Sequence, residues 1–192
     1  MPVPVTYRTG GEGAIASYNY TDISEGTGVV VLNGFSTEAS GAGIEYKLTT
    51  TTPYSSYIET SGAPWVFNLS AFNLPKTIKG TAIVKLAAYL ISGAPTEHTL
   101  TVSIQKVTTS GTTTLGSVET PQLSNPINYT LNIPLTETNF KKGDNLRLNI
   151  AKNGGAPIVL AHDPANREGS YIKPVTTFPT KLIAHIPFKL DL

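Results

Sequence analysis

Three histidines, His98, His162 and His185, are the side chains of this sequence best suited to acid–base chemistry or metal binding. A helical metalloprotease site needs two histidines one helical turn apart in the motif H-E-x-x-H, which this sequence lacks. A metal site built from several strands would need histidines and glutamates clustered along one strand, and here they are dispersed. The histidines therefore predict neither a metal centre nor a bound cofactor.

Nucleophilic and hydrolytic chemistry each require a defined constellation. The sequence lacks the G-x-S-x-G motif that holds a nucleophilic serine on a strained turn. The adjacent His162 and Asp163 therefore have no serine nucleophile to activate. A glycosidase needs an opposed pair of carboxylates, and nothing pairs the glutamates of this chain. Gly26, Thr27 and Gly28 lack the third glycine and the helix of a phosphate-binding loop. These observations predict that the chain is not an enzyme. The scattered candidate glutamates include Glu38, Glu45, Glu59, Glu97, Glu119, Glu137 and Glu168.

Asp163, Asn166 and Glu168 could in principle offer oxygen ligands to calcium. Their spacing matches no known calcium loop closely, and Pro164 follows Asp163 directly. An aspartate at such a position favours an Asx-type turn, in which its carboxylate accepts hydrogen bonds from nearby backbone N–H groups. The turn is therefore the preferred interpretation.

Tyr54, Tyr57 and Trp65 form a local aromatic cluster that could bind a carbohydrate. Trp65 alternates with Phe67 and Leu69, which favours a core anchor over a binding platform. Tyr54 and Tyr57 are an odd number of residues apart and would face opposite sides of one strand. The cluster is retained as a set of candidate contact residues.

Composition limits the partners. The chain has 192 residues, a net charge of +1 and only 14% charged residues, so it has no basic field for nucleic acid or anionic lipid. So few charges fit a protein that packs against copies of itself or a partner. The absence of cysteine excludes disulfides and zinc–thiolate sites. The N-terminus lacks the pattern of a secretory signal, and the apolar run around 86–91 is too short to span a membrane.

Residues 129–150 give the clearest structural signal. Tyr129, Leu131 and Ile133 alternate with polar residues, a turn signal follows at Gly143, and alternation resumes from Leu146. This pattern predicts two half-buried strands that form a unit of an antiparallel sheet. Other predicted strands cover residues 28–35, 44–50, 54–60, 65–69, 77–91, 99–107, 112–119, 156–162 and 181–192.

These elements predict an all-β protein: a single antiparallel β-sandwich, jelly-roll-like because a long polar loop precedes the last strand. The sandwich domain would cover residues 28–192, behind an extended N-terminal arm at residues 1–27. Tyr18, Tyr20 and Ile23 lie in this proline- and glycine-rich arm. Their apolar side chains would pack on the chain's own sandwich or reach a neighbouring subunit.

The phrase FKKGDNLRLNI at 140–150, the ending PFKLDL and the arm-plus-sandwich layout resemble small jelly-roll virion structural proteins. Capsid decoration and head-fibre subunits of tailed bacteriophages are similar in this sense. The resemblance implies a homo-oligomer, often a trimer, bound to major capsid or other virion proteins after synthesis in the host cytoplasm. We therefore expect a non-enzymatic protein that decorates or stabilises a capsid. The alternative is a carbohydrate- or receptor-binding β-sandwich module of a fibre or surface protein.

Overall fold

The computed structural model describes residues 8–9, 14–15, 27–39, 41, 43–91, 98–123, 127–172 and 178–189. Within these ranges the regular structure is entirely β, and no helix is present that could cross a membrane. The all-β prediction is confirmed. The strands are β1 (Arg8–Thr9), β2 (Ala14–Ile15), β3 (Thr27–Ala39), β4 (Gly43–Thr49), β5 (Glu59–Ser61), β6 (Trp65–Asn68), β7 (Lys76–Leu90), β8 (Thr99–Thr108), β9 (Gly111–Glu119), β10 (Ile127–Phe140), β11 (Asn145–Asn153), β12 (Ile158–Ala161) and β13 (Leu182–Lys189).

Eleven of these strands form one mixed sheet in the order β5-β12-β7-β13-β3-β4-β6-β11-β8-β9, with β10 attached to β7. Neighbouring strands are antiparallel except β4 and β6, which are parallel and joined at the single pair Lys47–Asn68. The prediction of a purely antiparallel arrangement is therefore wrong at this junction. Its physical reason is that β4 and β6 meet through a connection that includes β5, not through a direct hairpin.

Strand β7 organises much of this sheet. It pairs with β10 along one edge and with β13 and β12 along the other. Val84 and Leu86 are buried in the main core, on the face that their alternation predicts. On the opposite face, Ala87 belongs to a smaller buried cluster with Val159 and Ile172. Apolar residues on both faces of β7 are thus buried.

The unit at residues 129–150 folds into β10 and β11, but these strands do not pair with each other. Leu131, Ile133, Leu146 and Leu148 are buried as predicted. β10 pairs with β7, whereas β11 lies between β6 and β8. Alternation specifies which face of a strand is buried but not which strand lies beside it. The predicted faces are confirmed and the predicted neighbour is wrong.

β9 and β10 do not pair with each other in the sheet, yet they lie in contact. Gly116 of β9 lies against β10, where an added Cβ would collide with the carbonyl oxygen of Pro134. β8 and β9 form an antiparallel hairpin, with Val102 opposite Val118. β9 and β10 therefore lie side by side, although β9 is the last strand of the pairing order and β10 is attached to β7.

The predicted arm lies mostly outside the described residues, and Tyr18, Tyr20 and Ile23 are among those outside. Within the arm, β1 pairs with β2 as a short antiparallel hairpin. The last three residues of the predicted C-terminal strand also lie outside the described part. The described part of that strand, β13, is inserted between β3 and β7.

Candidate functional site

The loop after β12 is built around a buried carboxylate. Asp163 has no exposed surface, and its oxygens accept hydrogen bonds from the backbone N–H groups of Ala165 (3.3 Å) and Arg167 (2.6 Å). The Arg167 side chain adds bonds from Nε and Nη2, both at 3.1 Å. Burial opposes ionisation of Asp163, but the bonds from Arg167 prevail and hold its pKa below the usual value. The preferred Asx-type turn is confirmed.

The other two candidate calcium ligands, Asn166 and Glu168, do not join Asp163 in a common site. Asn166 Oδ1 accepts a hydrogen bond of 2.7 Å from the Thr180 backbone, and Glu168 is exposed. Thr180 in turn donates its hydroxyl to the Arg167 carbonyl at 2.8 Å. Among the described residues, no group of three or more His, Asp or Glu side chains is arranged to hold a metal ion. These bonds fix the loop onto the segment that enters β13.

Arg167 also connects this loop to an exposed aromatic ring. Its Nη2 donates to the Ser55 carbonyl at 2.8 Å, and its guanidinium carbon lies 4.4 Å from the centre of the Tyr54 ring. Tyr54 is 77% exposed. The guanidinium therefore supports one side of a ring that remains largely open to solvent. We call Tyr54, Ser55, Asp163 and Arg167 the Tyr54 platform.

The backbone beneath Tyr54 is held to β3. Ser55 is fully buried, and its hydroxyl donates to the Tyr57 carbonyl at 2.6 Å. The Ser36 carbonyl accepts a backbone bond of 3.1 Å from Ser56. Tyr54 is thus fixed from its own segment and from the late loop, which lies more than one hundred residues away along the chain.

A second contact clamps the far end of the loop onto β5. Glu59 Oε1 accepts hydrogen bonds from Ser170 Oγ (2.6 Å) and from the Tyr171 backbone (2.8 Å). Gly169 lies so close to this carboxylate that an added Cβ would collide with it. Tyr171, which is 46% exposed, stacks on Tyr89 with ring centres 6.4 Å apart. The loop therefore presents a second, separately supported tyrosine.

In the core behind the platform, three side chains form hydrogen bonds with the hydroxyl group of Thr60. Thr60 Oγ1 accepts from Trp65 Nε1 and from the Tyr46 hydroxyl, each at 3.1 Å. His162 Nε2 lies 3.0 Å from the same oxygen. A threonine hydroxyl has two acceptor sites and one donor, so Thr60 donates to His162 and Nε2 acts as the acceptor. We call this group, Thr60, Trp65, Tyr46 and His162, the Thr60 hub.

The hub keeps His162 neutral. Burial lowers the pKa of His162 to about 4, against smaller opposing effects of its own backbone and of Asp163. The rings of Tyr46 and Phe67 lie 5.6 and 5.9 Å from the imidazole, and its Nδ1 is buried with no hydrogen-bond partner. A histidine enclosed in this way packs the core and has no access to a substrate in solution.

The candidate contact residues therefore separate into different environments. Trp65 has no exposed surface, in agreement with the core-anchor interpretation. Tyr57 is half-buried, and Tyr54 alone of the three is widely exposed. His98 is buried at the start of β8, and burial followed by the nearby Lys85 lowers the pKa of half-buried His185. Sequence reasoning missed Arg167, although its position four residues after an Asp-Pro turn was a usable signal.

No protein-family model and no curated protein matches the sequence. Among solved structures, a CocE/NonD family hydrolase from Staphylococcus aureus is similar at 12% identity, with a TM-score of 0.53 over 82% of this chain. An alpha-amino acid ester hydrolase gives the same identity, TM-score and coverage. An aminopeptidase from a marine sediment Thaumarchaeota archaeon gives 9% identity and a TM-score of 0.54 over 81%.

These similarities show the fold alone, because the identities are so low. The chain spans only 36% of the length of each of these proteins. They nevertheless contradict the prediction that the chain is not an enzyme, since the similar solved structures named above are hydrolases. Missing motifs in the sequence excluded particular reactions, but they could not separate this fold from folds found in enzymes.

Proposed function

We propose that this chain is a β-sandwich of jelly-roll type that serves as a recognition subunit on the surface of a viral particle, where Tyr54 binds a carbohydrate receptor. The observation that carries the proposal is the 77% exposed Tyr54 ring held against Arg167. The sandwich itself is supported by the contact between Gly116 and Pro134, which brings β9 and β10 together.

A supported aromatic ring suits a sugar. The negative face of the ring attracts the weakly positive C–H groups on the apolar side of a pyranose. Free exposed tyrosines lose side-chain entropy on binding, whereas the Tyr54 ring is already positioned by Arg167. The ion pair of Arg167 with Asp163 cancels the local charge. These features favour a neutral saccharide over a charged one.

The experiment is a glycan array followed by titration of the best neutral binder. Tyr54→Ala should lower affinity by about tenfold or more, which corresponds to about 1.4 kcal/mol. Tyr54→Phe should keep most of the affinity because it retains the ring. Tyr171→Ala is the matched control, since Tyr171 is also an exposed, stacked tyrosine. Unchanged affinity in Tyr54→Ala, or no bound glycan at all, would contradict the proposal.

The viral setting includes contacts between copies of the chain. Val31, His185 and Ile83 lie in one row across the outer face of β3, β13 and β7. Val31 is 41% exposed and Ile83 is 36% exposed. A row of this kind can pack against the same row of a second copy and bury both. Ile83→Asp should then lower the oligomeric state in analytical ultracentrifugation, whereas Leu74→Asp, at an exposed leucine elsewhere, should not. A wild-type monomer at all concentrations would contradict this part.

The fold comparisons favour a second candidate function, in which the chain is the β-unit of a hydrolase. The supporting observation is that the similar structures are hydrolases of which this fold occupies 36%. The Tyr54 platform would then hold a substrate near a catalytic unit. Hydrolysis of an amino acid ester by the purified protein, or by a partner that co-purifies with it, would favour this candidate. Co-purification with capsid proteins would favour the viral one.

A further inference from the structure

The sequence contains two Asn-Gly pairs, Asn33–Gly34 and Asn153–Gly154. Such a pair can react with itself, because the backbone nitrogen of the glycine can attack the side-chain amide carbon of the asparagine. The amide nitrogen leaves as ammonia with the proton of the glycine N–H, and water opens the resulting cyclic imide to aspartate or isoaspartate. Glycine favours ring closure because it has no Cβ to obstruct it. The two pairs differ in how firmly the sheet holds them.

The first pair is held inside β3 from both sides. Asn33 lies opposite Thr49 of β4 and opposite Ile183 of β13. Its side chain is 9% exposed, and its Nδ2 donates to the carbonyl of Thr51 at 2.9 Å. Ring closure requires the backbone to turn out of its extended conformation, which pairing with two neighbouring strands opposes. Asn33 is therefore protected as long as the protein is folded.

The second pair lies where β11 ends. Asn153 is the last residue of β11, and its pairing with Thr99 is the last of the register between β11 and β8. Within the described part of the chain, β6 pairs with β11 only at residues 147–150, so Asn153 is held in the sheet from one side. Gly154 is exposed and has a φ of 97°, which only glycine adopts without strain. The backbone at Gly154 is therefore much less restrained than that at Gly34.

The side-chain amide of Asn153 joins the ends of three strands. Its Nδ2 donates to Thr99 Oγ1 (2.9 Å), Thr101 Oγ1 (3.0 Å) and Glu119 Oε1 (2.9 Å). The Thr99 hydroxyl donates to the same carboxylate oxygen. The hydrogen bonds from Thr99 and then from Asn153 hold the pKa of Glu119 below its usual value, so this carboxylate is charged at neutral pH. The network therefore depends on a hydrogen-bond donor at position 153.

We propose that Asn153–Gly154 is a site of spontaneous deamidation in the folded protein, and that conversion loosens the corner where β8, β9 and β11 meet. A carboxylate at position 153 donates no hydrogen bonds and lies beside the carboxylate of Glu119, which it repels. Isoaspartate also lengthens the backbone by one carbon atom before Gly154. One added negative charge cancels the formal net charge of +1, which favours association of the modified protein.

The first experiment follows the wild-type protein during incubation at mildly alkaline pH, with peptide mapping by mass spectrometry at intervals. In the folded protein, the peptide that contains Asn153 should convert to aspartate and isoaspartate at least about tenfold faster than the peptide that contains Asn33. In urea both peptides should convert, which shows that both sequences are reactive when unfolded. The proposal is overturned if Asn153 converts in urea but not in the folded protein, or if both sites convert equally fast in the folded protein.

A second experiment tests the effect of the new carboxylate with Asn153→Asp. The backbone N–H groups of Leu100 and Thr120 are bonded across this corner, so their hydrogen exchange should be about tenfold faster in the variant. Asn132→Asp, at an exposed position of β10, is the control for charge and should exchange there as the wild type does. Adding Glu119→Gln to Asn153→Asp should restore part of the protection, because it removes the repulsion. Equal exchange in Asn153→Asp and Asn132→Asp would overturn the proposed loosening of the corner.

Discussion

The Thr60 hub and the Tyr54 platform share two segments of the chain, residues 54–65 and 162–167, and the hub adds Tyr46 of β4; one of them is buried and the other is exposed. In the hub, Thr60 uses its hydroxyl for contacts with Trp65, Tyr46 and His162, and all of them point into the core. In the platform, six residues earlier, Tyr54 leaves its ring in solvent. The hydrogen bonds of the hub thus stabilise the fold, whereas the contacts of Arg167 position the exposed Tyr54 ring for a ligand. We expect substitutions in the two regions to separate stability from binding.

The largest effect on stability is expected for Thr60→Val, which keeps the shape and removes the hydroxyl. It leaves the Trp65 indole N–H, the Tyr46 hydroxyl and His162 Nε2 without their partner in the core. At the usual penalty for each buried unsatisfied group, the free energy of unfolding should fall by about 4 kcal/mol. Urea unfolding measures it. Thr113→Val on exposed β9 is the control, and a loss below ~1 kcal/mol in Thr60→Val would show that the hub is not structural.

The second prediction concerns pH. His162 has a pKa of about 4 when folded, below its ordinary value of 6.5, so the unfolded chain binds the proton first. The contribution of neutral His162 to the free energy of unfolding is fully present above pH 6.5 and is lost as the pH falls towards 4. The loss should reach about 3 kcal/mol. Burial also lowers the pKa of His185, which adds a change of the same sign.

Unfolding of wild type and His162→Gln at several pH values between 7 and 4 isolates the hub. The difference between their stabilities should shrink as the pH falls, because only the wild type loses the contribution of His162. Parallel pH profiles would mean that His162 is accessible to protons in the folded state.

Asp163→Ala should have a smaller effect on stability, because Arg167 keeps access to solvent. The loss of charge-assisted hydrogen bonds to Arg167 should cost about 2 kcal/mol. The same variant should weaken glycan binding, since Arg167 no longer holds Tyr54 in place. Asp163 has a lowered pKa, so its stabilisation is present above its unfolded value of 3.8 and is lost as the pH falls through the lower folded value. If Asp163→Ala binds the glycan as tightly as the wild type does, Arg167 does not need Asp163 to hold Tyr54 in its binding position.

The sequence predicted the faces of the strands better than their neighbours. Leu146, Leu148 and Ile150 alternate in β11, and burial of alternate residues follows from local geometry. That β11 lies between β6 and β8, or that β4 meets β6 in parallel, depends on contacts between distant segments. No local pattern carries this information.

The candidate site divides in the same way. The Asx-type turn at Asp163 is local, and the proline after it made the turn predictable. The contact of Arg167 with Tyr54 joins segments that are far apart in sequence, so neither residue shows its partner. The burial of Trp65 was indicated by its alternation with Phe67, whereas its bond to Thr60 was not.

The most direct test combines two measurements on Tyr54→Ala: its free energy of unfolding and its affinity for the neutral glycan that binds the wild type best. We predict a change in the free energy of unfolding below ~0.5 kcal/mol, as for an exposed surface residue, together with a loss of affinity of about tenfold or more. Unchanged glycan affinity, or a loss of affinity that accompanies unfolding, would contradict the assignment of Tyr54 as a recognition residue.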